Sequence, residues 1–172
     1  IMNNFESKFV DYDRLIVEVG VNVQKGEPLV ISSPIEGADF VREMAKIAYE
    51  KGVIDVYVNW TDDILTRLKY ENAPLSVFEN FPKWKADALE DYAKKGAGFI
   101  YISAEDPQLL SGIDTNKIAA FNKSSGIALK EYRNYTMNDI NSWCVVSIPS
   151  KNWAMRVFPE LEEQTAMEKL WE

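Results

Sequence analysis

Apolar positions change their spacing repeatedly along the chain, and the changes mark out its elements. Phe5, Phe9, Tyr12, Ile16 and Val19 step by three or four, the stripe of one helix face. Gly20 and Gly26 bracket its exit. Leu29, Val30 and Ile31 form a short, wholly apolar run, ended by Ser32-Ser33-Pro34. Such a run reads as a strand covered on both faces. Phe40, Met44, Ile47 and Ala48 return to helical spacing and close at Gly52. A second strand follows from Ile54 to Trp60. Thr61 is placed to cap the next helix, with Asp62 and Asp63 in its positive first turn. That helix carries Ile64, Leu65 and Leu68 and stops before Pro74.

The second half repeats the alternation. A helix from near Pro82, with Trp84, Ala88 and Tyr92 on one face, ends at Gly96. A strand at Phe99-Ile100-Tyr101-Ile102 comes next. Asp106-Pro107 supplies a cap and first-turn proline for one short turn, closed by Gly112. Asp114 or Thr115 opens a longer helix with Ile118, Phe121, Ser125, Ala128 and Tyr132 on one face. A strand from Trp143 to Ile148 stops at Pro149, and Ser150 caps a helix through Phe158. Beyond Pro159 lies an amphipathic segment with Met167, Leu170 and Trp171. Trp84 and Trp153, at helical positions, read as packing residues.

Strands alternating with helices of this length predict βαβ units and a parallel sheet. The fold class is therefore α/β: a three-layer sandwich whose mainly parallel sheet has at least four strands flanked by helices. Strands are expected near 28–33, 54–60, 98–103 and 143–148, joined by right-handed crossovers.

Composition narrows the chemistry. Of 172 residues, 47 are Leu, Ile, Val or Phe, enough to build a core. The net charge is −8, which disfavours nucleic acid and an anionic membrane surface. There is no His, so a Ser-His-Asp triad, a Cys-His dyad and an imidazole metal ligand are all excluded from these residues. Cys144 is the sole cysteine, which allows no disulfide within these residues and suits a reducing, cytoplasmic setting. No run of 18 apolar residues occurs, and residues 1–4 show no secretory pattern. Gly96-Ala97-Gly98 is no dinucleotide fingerprint, since Tyr101 replaces its third glycine and the glycines precede a strand.

Ligands of parallel sheets collect at the carboxyl ends of strands. Those ends offer Ser32, Ser33 and Glu36; Asn59, Trp60, Asp62 and Asp63; Ser103, Glu105 and Asp106; and Ser147, Ser150 and Asn152. The turn after the second strand is the richest, combining an indole, an amide and two carboxylates, with Arg67 one turn further on. Caps account for Thr61 and Asp62 but not for an exposed Trp60. Trp60, Asp62, Asp63 and Arg67 are thus the candidate substrate-cleft residues, suited to binding. No catalytic or metal residue is assigned.

Three stretches carry a family resemblance: VNWTDDILTRLKYENAP (58–74), FPKWKADALEDYAKKGAGFIYISAEDP (81–107) and SWCVVSIPSKNWAMRVFP (142–159). With LIVEVGVNVQKGEPLVISSPIE (15–36) and AMEKLWE (166–172), they resemble the thermophilic metallo-aminopeptidases, the group of aminopeptidases T, S and PepS. The resemblance implies the N-terminal, non-catalytic domain of a cytoplasmic enzyme that removes N-terminal amino acids from peptides. It implies two divalent metal ions held by Glu, His, Tyr and Asp residues of a C-terminal half. It also implies a homodimer. Residues 1–159 are then the N-terminal α/β domain, and 160–172 the start of the connection to a C-terminal catalytic domain. Those last 13 residues carry five Glu against one Lys. Two other readings remain at this point: a stand-alone α/β module binding a small ligand, and an enzyme using carboxylates alone, with Mg at Asp62 and Asp63.

Overall fold

The computed structural model describes residues 4–103 and 108–170, and the side chains of residues 8–103, 108–151 and 153–170. The expected Asp106-Pro107 turn, Glu105 and Trp171 lie outside the described residues, as do the side chains of Phe5 and Asn152. The chain begins with α1 (Asn4–Leu15), continued by a five-residue π turn at Ile16–Gly20. Then come β1 (Pro28–Pro34), α2 (Ala38–Glu50), β2 (Asp55–Thr61) and α3 (Asp63–Asn72). A one-turn α4 (Leu75–Phe78), α5 (Lys83–Lys94) and β3 (Gly98–Ser103) follow. The chain closes with α6 (Thr115–Ala128), α7 (Lys130–Met137), β4 (Trp143–Ser147), α8 (Lys151–Val157) and α9 (Glu163–Leu170).

Among the described residues the four strands form one wholly parallel sheet in the order β2-β1-β3-β4. The apolar runs are strands because helices cover both faces. On one face Leu29, Ile31, Ile100, Ile102 and Val146 meet Met44, Ile47 and Ala48 of α2 and Ile16 and Val17 of the π turn. On the other, Val30 and Phe99 meet Ala93 of α5 and Tyr132 of α7. The chain moves one way across the sheet through α2 and the other way through α5 and α7. The change of face with the change of direction is what crossovers of a single hand require.

Four local expectations are corrected. The first helical stripe does not reach Val19, which is exposed. Val21 N–H bonds Ile16 O at 2.9 Å, five residues back, and the wider turn swings Val19 off the buried face. Thr61 remains in β2, and Asp62 is the cap of α3, accepting from Leu65 N–H at 2.9 Å. The helix after Asp114 is broken at Leu129 into α6 and α7, although Ser125 and Tyr132 are both buried as its face predicted. Trp84 is 64% exposed and Trp153 is also exposed, so helical spacing did not mean packing there. The caps by Asp114 and Ser150 form as read.

Turn α4 has no periodic signal in the sequence; its Phe78 is held by tertiary contacts. The Phe78 ring stacks on Tyr70 at 4.5 Å, and Ser124 Oγ donates to Phe78 O at 2.7 Å. Segment 160–170 packs back on α8, with Ala166 buried and Lys151 paired to Glu163 at 2.7 Å.

Candidate functional site

The order of the strands reverses about β1, so the carboxyl ends of β1 and β3 flank the point where open parallel sheets bind ligands. The register aligns Asn59, Ser32, Tyr101 and Val145 as one row across the four strands. Side chains alternate faces along a strand, so this row lies on the α5 and α7 side with Val30 and Phe99. A cavity of about 440 Å³ stands over it, lined by Ser32, Asn59, Tyr101, Tyr132, Arg133 and Trp143 among others.

The walls are mainly apolar, with a few converging polar groups. Burial pushes the Tyr101 phenol up to about 12, against the opposing pull of Arg133, so it is a neutral donor at physiological pH. The Tyr132 hydroxyl is buried and has no partner among the described residues. Among the described residues no carboxylate lines the cavity. The described lining has the make-up of a binding surface, apolar walls with a few hydrogen-bonding groups. Cys144 is not an activated nucleophile, because burial raises its thiol.

Of the residues predicted from strand ends, the structure brings Ser32 and Asn59 into this cavity and leaves the four cleft candidates outside it. Trp60 follows the parity of Val56 and Val58, whose side chains pack on the opposite core. It is 45% exposed, at the end of an edge strand. Asp62 caps α3 and Asp63 stands in its first turn. Arg67 is a strap: its guanidinium donates to Leu109 O at 2.7 Å and Ser111 O at 3.3 Å, and pairs with Glu71 at 2.8 Å. It thereby ties α3 to the segment that follows β3. Ile64, Leu65 and Leu68 form an exposed apolar stripe on α3, close in sequence to Trp60. Sequence reading missed Tyr101, Tyr132, Arg133 and Trp143. Spacing along the chain gave no signal for this, because only the register pairs Tyr101 with Ser32.

A second unusual group is Asp13. It is fully buried in α1, and neither carboxylate oxygen has a partner among the described residues. Burial, reinforced by the nearby Glu43 carboxylate, pushes it up to about 8.

These residues do not fit a divalent metal. Among the described residues no three His, Cys, Asp or Glu side chains converge, and Asp62 already spends an oxygen on a helix cap.

Comparison with known proteins accounts for a chain with a binding-type site and no donor set. Aminopeptidase AmpS of Bacillus subtilis is 48% identical over 171 residues, which are 99% of this chain and 42% of that protein. Aminopeptidase 2 of Geobacillus stearothermophilus is 42% identical, over 99% of this chain and 41% of that protein. The solved structure of wild-type AmpT from Thermus thermophilus superposes with a TM-score of 0.89 at 29% identity, over 97% of this chain and 42% of that one. The chain thus spans about 42% of the length of these relatives and matches their N-terminal part. Residues 5–172 match the family described as thermophilic metalloprotease (M29), and with near-complete coverage the chain belongs to that family.

Proposed function

We propose that this chain is the N-terminal, non-catalytic domain of a metal-dependent aminopeptidase, and that the whole protein removes N-terminal amino acids from peptides. The observation that carries the reading is the match of 99% of the chain to 42% of AmpS, a protein named as an aminopeptidase. In this reading the metal ligands belong to the remaining portion of the whole protein, since these residues contain no His. In this reading the whole protein holds two divalent ions there, which supply the activated water for hydrolysis. Residues 1–159 form the domain and 160–172 begin the connection. The partners are the C-terminal catalytic domain, the peptide substrate and a second copy in a homodimer. The compartment is the cytoplasm, supported by a lone thiol with no disulfide partner in this chain.

Trp60, Asp62, Asp63 and Arg67 wall the substrate cleft in this reading. An exposed indole beside the bare Ile64, Leu65 and Leu68 stripe is the kind of surface that another body covers. A carboxylate there can meet a substrate α-ammonium, and Arg67 can orient a carboxylate.

Turnover of an aminoacyl anilide by the whole protein, with and without chelator, tests the activity. Loss with chelator and recovery with a divalent cation is expected, while the 172-residue chain alone stays inactive. An inactive whole protein, or turnover by the chain alone, refutes the reading. For the cleft, Trp60→Ala and Asp63→Ala in the whole protein are expected to change KM or kcat/KM with an intact fold. Unchanged kinetics would leave those residues purely structural.

A further inference from the structure

The two edges of the sheet are finished differently. At β2, the Tyr57 ring stacks on Tyr92 of α5 at 5.2 Å, and Tyr92 Oη donates to Asp55 at 2.7 Å. Val56 and Val58 pack on the other core. Side chains from both layers thus cover that edge strand as far as Val58, while Trp60 at its end is exposed. At β4 one face is clothed: Val146 joins the core, Gly20 lies against the Cys144 sulfur, and Tyr12 Oη donates to Ser147 O. The other face is bare. Trp143 is 46% exposed, Val145 57%, and Met137 at the end of α7 79%. All three border the same cavity as the buried Tyr132 hydroxyl, which has no partner among the described residues. Hydrogen bonds reach β4 from β3 alone among the described strands.

A bare apolar strand at a sheet edge invites pairing with another chain, and native proteins cover or blunt it. What covers this one follows from topology and length. The order β2-β1-β3-β4 is the first four places of the common doubly wound order 2-1-3-4-5. Steps in the direction of β4 carry their helices on the α5 and α7 face, which is the face left bare. The chain spans only about 42% of its relatives, so more than half of such a protein is available to fill the place.

We propose that β4 is an interior strand of the whole protein. A fifth parallel strand from the segment beyond Glu172 pairs with its free edge, and the residues joined to that strand cover Trp143, Val145 and Met137. The inference rests on the reading that this chain is part of a longer protein.

Oxidative footprinting of the whole protein tests it, since Met oxidation follows exposure. If the face is covered, Met137 and Trp143 oxidise at least about tenfold more slowly in the native than in the urea-unfolded protein. Amides of β4 turned away from β3 exchange slowly with solvent in the same native state. Native oxidation close to the unfolded rate, with fast exchange of those amides, overturns the proposal. Protection that disappears on dilution to monomer also overturns it, because the cover is then a second copy. Aminopeptidase activity of the same preparation is read separately. An inactive protein with protected Met137 fails the functional reading and keeps this one; an active protein with reactive Met137 does the reverse.

Discussion

Asp13 is expected to make the stability of this fold fall as pH rises through neutrality. Its carboxyl is wholly buried in α1 without a hydrogen-bond partner, and it faces the Glu43 carboxylate. Its value rises from 3.8 to about 8. A raised value means that the native state holds a proton the unfolded state has released. The contribution is fully present below about pH 4 and is lost as pH rises towards about 8. Across that window each pH unit costs about 1.4 kcal/mol, a total on the order of 6 kcal/mol. That is comparable to the whole stability of many domains. Asp13→Asn keeps the size and removes the titration. Urea unfolding of both proteins at pH 5, 6, 7 and 8 isolates the effect, because every other acidic group is common to the two. The stability of the variant relative to the parent is expected to rise by about 3–4 kcal/mol from pH 5 to pH 8. A difference that stays constant with pH refutes the argument and means that Asp13 ionises normally in the native state. Glu43→Gln removes the nearby like charge and is expected to make the parent's pH slope shallower.

Three further outcomes follow from single contacts. Arg67→Ala removes two bonds to the carbonyls of Leu109 and Ser111 and is expected to cost about 1–3 kcal/mol by urea unfolding, with faster proteolysis near residue 110. Asp62→Ala removes the cap of α3 at a cost of about 1 kcal/mol, whereas Asp62→Asn, which still accepts from Leu65 N–H, is expected to cost little in the same melt. Gly37→Ala would put a methyl 2.5 Å from Ser33 Oγ and 3.0 Å from Ile148 Cδ1, between β1 and the end of β4. Thermal unfolding is expected to show a loss of about 1–3 kcal/mol.

How much of this was legible in the chain depended on whether the signal was local. Apolar runs such as Leu29-Val30-Ile31 and Phe99-Ile100-Tyr101-Ile102, separated by helical stripes, determined the class of fold and the four strands to within a residue or two. Their uninterrupted hydrophobicity stated that the sheet is parallel and covered on both faces, because only such strands bury every residue. The zero count of His bounded the chemistry without any coordinates. The capping residue of α3 was off by one, since Thr61, Asp62 and Asp63 all have cap chemistry and only the backbone at the end of β2 selects among them. Strand order, the row of Asn59, Ser32 and Tyr101, the burial of Asp13 and the strap at Arg67 were decided by tertiary structure alone. Each joins residues from separate elements or depends on which helix face meets the sheet, and spacing along a chain carries no record of either. The same reason separates Trp60 from Asn59: adjacent in sequence, they leave β2 on opposite faces, one toward a core edge and one into a cavity.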